Sequence, residues 1–167
     1  MKKLIIGIIA LCFSANGIAG ELEGLSEQYL SAYKEKDLRS ATSQLHCPEN
    51  YSKLETHKDH ESISKALSVF VGEFGALETY KVSRSNLYVA AMVACGTLEY
   101  WEVNKPVKTL VYETKHIDGK NGYIIFSYAV INKEYVLAFV KHGIPMKGNE
   151  SVNKIKQVYK NLASIGT

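Results

Sequence analysis

Val107–Ile131 reads VKTLVYETKHIDGKNGYIIFSYAVI. Two runs rich in Val, Ile, Thr, Tyr and Phe flank Asp118-Gly119-Lys120-Asn121-Gly122. β-Branched and aromatic residues fit a pleated surface, and a short Asp/Gly/Asn cluster is turn chemistry. The stretch therefore predicts two antiparallel strands, because so short a connection cannot cross over to a parallel neighbour. The same texture extends both ways. Strands are expected near 77–84, 88–103, 107–117, 123–131 and 135–140, with turns at 104–106 and 132–134. Gly96 inside the long second strand predicts a bulge or bend.

Upstream the period changes to three and four. Leu22, Leu25, Tyr29 and Tyr33 form one helical stripe, and Asp37 is placed to cap a second short helix carrying Leu38, Ala41 and Leu45. Pro48 closes that segment, and 46–58 reads as a loop. Ile63, Ala66, Leu67, Phe70 and Phe74 give the clearest helix, with Asp59 or Ser62 as its cap and Gly75 as its stop. Val152, Ile155, Tyr159 and Leu162 mark a last helix. Helices followed by an antiparallel meander are the α+β pattern. The expected fold is N-terminal helices packed on a curved antiparallel sheet, with a C-terminal helix.

The first residues read differently. Met1–Lys3 are basic, Leu4–Phe13 is an unbroken apolar run, and Gly17 and Ala19 supply a small-x-small cut site. That is the order of a secretory signal peptide. Residues 1–19 are read as the signal and 20–167 as a single domain, periplasmic or secreted, with no membrane span after cleavage. Cleavage after Ala19 removes Lys2 and Lys3 and no acid. The 20 cations become 18 against 17 acids, and the net charge falls from +3 to +1. Nothing so balanced suggests a nucleic-acid partner. Of the 3 cysteines, Cys12 leaves with the signal. Cys47 and Cys95 remain, and in an oxidising compartment the pair invites a disulfide, although two separate thiols fit the sequence equally.

Tyr29-Leu30-Ser31-Ala32-Tyr33, the charged break at Lys36-Asp37, and Leu38, Ala41 and Leu45 form a helix–Asp–helix opening. Phe74-Gly75-Ala76-Leu77-Glu78-Thr79-Tyr80 carries a helix into the first strand. On these residues the chain, from about Glu21 to Ile131, resembles the NTF2-like superfamily, the α+β cone of nuclear transport factor 2, ketosteroid isomerase and the polyketide cyclases. A cystatin-like sheet with helices on one face is the alternative. The resemblance implies a pocket between the concave sheet and the first helices, but fold alone does not set function.

Candidate chemistry is sparse. If the second strand runs through 103, Glu99, Trp101 and Val103 share one of its faces and Tyr100 takes the other. Glu99 and Glu113 are the candidate general bases, since a buried carboxylate with a raised pKa can move protons near neutral pH. Trp101, Tyr112 and Tyr128 are the candidate ligand contacts, and Tyr100 and His116 are further raw material. His57-Lys58-Asp59-His60-Glu61 is the densest cluster of metal-type ligands; His57 and His60 are spaced for one helical turn and His46 and Cys47 upstream could join them, without the pattern of a known zinc motif. His46 beside Cys47 could be cast as base and nucleophile. No cofactor is called for.

The reading favours a non-catalytic exported binder of a small apolar ligand or a protein partner in the cell envelope, for which a homodimer is one arrangement. The alternative is a small isomerase or lyase using a buried carboxylate.

Overall fold

The computed structural model describes residues 20–48, 57–83, 88–96, 98–145 and 148–163; for some of these, His57, His60 and Glu99 among them, it describes the backbone alone. The signal-peptide reading of 1–19 lies outside the described residues.

Helix α1 (20–34) buries Leu22, Ser26, Tyr29, Leu30 and Tyr33 along one face. It ends where Lys36 turns to φ 62°. Asp37 then caps α2 (Leu38–Ser43), its carboxylate accepting from the Ser40 amide at 3.0 Å and the Ser40 hydroxyl at 2.6 Å. Helix α3 (His57–Phe74) buries Ile63, Leu67, Phe70 and Phe74. It begins at His57, so Asp59 and Ser62 are inside it rather than capping it. Gly75 stops it at φ 88°, a region glycine enters without steric cost.

Five strands follow: β1 (Leu77–Val82), β2 (Tyr88–Ala94), β3 (Lys108–His116), β4 (Asn121–Ile131) and β5 (Glu134–Pro145). They form one open antiparallel sheet in the order β1-β3-β4-β5-β2. The β4–β5 turn holds Asn132 and Lys133 at φ 52° and 72°. Two successive positive-φ residues make the tight turn that matches strand twist. Helix α4 (Leu98–Val103) interrupts the meander, and α5 (Gly148–Ala163) closes the described chain. The architecture is mixed α+β and cone-like, with a C-terminal helix.

Two expectations need correction. The expected second strand, 88–103, stops at Ala94, and Leu98–Val103 is helical. Gly96 takes φ 96°, and the chain turns there to lay Trp101 on the sheet face away from α1 and α3, against Ala129, Ala138 and Phe139. A Cβ on Gly96 would stand 3.1 Å from Pro48 and 3.2 Å from the Trp101 indole nitrogen. Glu99, Trp101 and Val103 thus share no strand face. The last strand also runs five residues beyond 140, to Pro145, because Val140 and His142 continue its buried alternation.

The main core is on the helical side of the sheet. Tyr29 meets Phe126 edge-on at 5.3 Å, and Tyr112 meets the same ring at 5.5 Å. Phe70, Leu67, Leu137 and Val140 complete it. Among the described residues no helix is long and apolar enough to cross a membrane.

Candidate functional site

The interior of the cone is built by α1, α3 and the inner faces of β3–β5, and it is unusually polar for a core. His142 on β5 is buried between Phe70 and Tyr33, with ring centroids at 4.6 and 4.8 Å, and its Nε2 is 3.0 Å from the Tyr29 hydroxyl. Burial, reinforced by His116, drives its pKa down to about 3, so the ring is neutral. Burial likewise raises both Tyr29 and Tyr33. The Ser26 and Tyr128 hydroxyls pair with each other, and both lie within hydrogen-bond reach of the Leu22 carbonyl, to which the one accepting in the pair donates. The Tyr33 hydroxyl is buried with no hydrogen-bond partner among the described residues.

His116, at the end of β3, brings this polarity to the surface. Its Nδ1 is 2.9 Å from the Gly75 carbonyl, which can only accept, so Nδ1 carries the proton. Burial lowers its pKa, and the neutral ring then accepts at Nε2 from the Thr114 hydroxyl, 3.2 Å away. Gly122 across the strand pair leaves room for this contact. A Cβ there would be 2.9 Å from Thr114 Oγ1 and 3.1 Å from His116 Nε2.

His116 forms part of a cleft of about 460 Å3 at this end of the cone. Phe74, Ile144 and Pro145 give it an apolar side, and Lys120, Glu73 and Lys154 line the rest. Lys154 donates to Glu73 at 2.7 Å, and Lys120 pairs with Asp118. A second cleft of about 520 Å3 lies beside it, lined by Lys81, Glu113, Lys115 and Tyr123. The two share Asn121 and Pro145.

The expected site residues are not brought together. Glu113 is on the outer face, where Ser83 donates to it at 2.9 Å and Lys81 pairs with it at 3.1 Å. These two partners hold its carboxyl below the usual range, the reverse of the raised pKa a neutral-pH base requires. Glu99 is on α4, and its side chain lies outside the described residues. Every described carboxylate is exposed or partly exposed, so no described acid can serve as the interior base that the isomerase reading needs. Tyr112 and Tyr128 are packed in the core, and Trp101 is buried beneath α4 on the other face. None of the three lines either cleft. His57 and His60 fall in the first turn of α3, with side chains outside the described residues. Among the described residues no three His, Cys, Asp or Glu side chains gather as a metal site.

Cys47 and Cys95 are bonded, with S–S 2.11 Å and Cα atoms 5.0 Å apart. Cys47 is therefore no thiol nucleophile for His46. His46 instead pairs with the Tyr100 hydroxyl at 3.1 Å, and Trp101 donates to the Cys95 carbonyl at 2.6 Å. The disulfide is compatible with an oxidising extracellular compartment. The expected strand end at 140 leaves His142 outside the predicted site, so its pairing with Tyr29 emerges only from the fold.

Comparison with protein-family models, with curated proteins and with solved structures finds no match for this chain.

Proposed function

We propose that this chain is an exported, NTF2-like binding domain that engages a segment of a protein partner across the two adjoining clefts at the Asn121–Pro145 end of the sheet. The carrying observation is where space exists. Among the described residues, aromatic and aliphatic side chains pack closely round His142, while two clefts of about 460 and 520 Å3 meet at Asn121 and Pro145 outside that core. A small apolar ligand would need the interior. An extended segment suits adjoining open clefts that offer apolar contacts beside Lys, Glu and Asn side chains. Export is supported by the signal-like start and by a disulfide suited to an oxidising compartment. The family reading rests on the helix–Asp–helix opening and the order of helices and strands.

The test is Asn121→Trp, which obstructs the junction from an exposed position. Partner recovered with the tagged exported protein should fall sharply while the thermal midpoint holds. Undiminished recovery would remove the clefts from recognition.

A further inference from the structure

The two edges of the sheet differ in chemistry. The β1 edge, LETYKV, carries Glu78 and Lys81, which pair with Lys115 and Glu113 on β3. The β2 edge, YVAAMVA, has seven residues without a charge, a proline or a glycine. Among the described residues β5 alone pairs with β2, so within them its other side has no strand partner. Natural edges of this kind are usually guarded by charge, proline or a bulge.

The neighbouring helix adds a second observation. Helix α5 packs on β2 and against α3. Its Lys154 and Asn161 both reach Glu73 of α3, at 2.7 and 2.9 Å, which marks the flank facing α3. Ile155 and Val158 are buried toward the sheet. Val152 and Tyr159 each lie two residues from that α3-facing pair, roughly 200° round the helix. They therefore occupy the flank away from α3. Since Phe70 and Phe74 of α3 pack over His142 of β5, that flank overlooks the open edge of β2. Both side chains are exposed, at 39% and 49%, and they stand two turns apart.

We propose that β2 is a self-association edge, at which a second copy of this chain pairs β2 with β2 in antiparallel fashion about a two-fold axis. A two-fold perpendicular to the sheet makes one ten-stranded sheet and leaves both sets of helices on the same face. It also sets the two α5 helices side by side and antiparallel, so Val152 of each copy meets Tyr159 of the other. This is why a second copy is the occupant: the strand must meet an uncharged antiparallel edge, and the helix must meet an apolar pair at the same two-turn spacing. The chain supplies both. Lys156 is exposed on the solvent side of the strip, where its amine stays in water.

Sedimentation velocity of the purified exported protein, across concentrations reaching the millimolar range, is the test. A reversible dimer is expected. Tyr159→Lys should weaken it at least about tenfold without moving the thermal midpoint, since the side chain is half exposed. Ile117→Lys, a charge placed on an exposed apolar residue beyond the β1–β3 pair, should leave it unchanged. Hydrogen exchange at Tyr88–Ala94 amides should slow as the dimer forms. A monomer at every concentration, a dimer indifferent to Tyr159→Lys, or β2 amides that exchange alike in both forms would each overturn the proposal.

Discussion

The hydroxyl of Tyr29 and Nε2 of His142 are 3.0 Å apart, and both side chains are closed off from solvent. This one bond joins α1 to β5 across the cone. It also keeps a titratable ring in a place where its charged form is excluded.

That exclusion makes stability depend on pH. The folded pKa of His142 is about 3, against about 6.5 in an unfolded chain. The stabilisation is fully present above pH 6.5. It is lost as the pH falls from there toward 3, because only the unfolded state takes up the proton. His116, also lowered by burial, adds in the same direction. Urea unfolding at pH 7.5 and pH 5 should differ by about 2 kcal/mol from His142 alone. The double variant Tyr29→Phe with His142→Phe removes both polar partners and should lose that share of the difference.

The two tyrosines of α1 should respond oppositely to loss of their hydroxyls. Tyr33→Phe deletes a buried hydroxyl that has no partner among the described residues, and should be neutral or stabilising by about 1 kcal/mol. Tyr29→Phe strands the Nε2 of His142 and should cost roughly 1–3 kcal/mol. Equal effects in chemical denaturation would contradict this assignment.

Gly122 is held by its neighbours rather than by its backbone angle. Its added Cβ would fall 2.9 Å from Thr114 Oγ1 and 3.0 Å from the Gly143 carbonyl, on strands to either side. Gly122→Ala should cost roughly 1–3 kcal/mol, read as a lower urea midpoint. Gly72→Ala, where a Cβ meets nothing within 4 Å, should stabilise α3 by up to about 1 kcal/mol.

Reduction of Cys47–Cys95 has a built-in optical reporter. The chain has a single tryptophan, and Trp101 donates to the Cys95 carbonyl at 2.6 Å. The bridge spans 48 residues, for which the chain-entropy model gives about 4 kcal/mol. Reductant should lower the urea midpoint accordingly and shift the Trp101 emission to longer wavelength. An unchanged spectrum would mean that the bridge does not hold α4 in place.

Much of this fold is written in periodicity. The Ile63–Phe74 stripe needs only helical spacing to be legible, and the hairpin joining β3 to β4 needs only the Asp118–Gly122 turn. Leu98–Val103 reads as strand because Tyr100, Trp101 and Val103 continue the aromatic and β-branched texture, and no local signal says that a disulfide, Gly96 and a buried indole will make it a helix. Lys141-His142-Gly143 looked like a strand ending, because a histidine at an inner position reads as polar until Tyr29 is found opposite it. The clefts were not legible at all. Asn121 and Pro145 are brought together by strand register, which single-sequence patterns do not encode.

The most direct measurement of the recognition claim is site-specific photocrosslinking in cells that produce the protein. A photoreactive side chain at Asn121 is compared with one at Val130, exposed at the other end of β4 and about 30 Å away by strand rise. The account predicts a discrete crosslinked partner from position 121 and none from 130. Equal crosslinking from both positions, or none from 121, would contradict it.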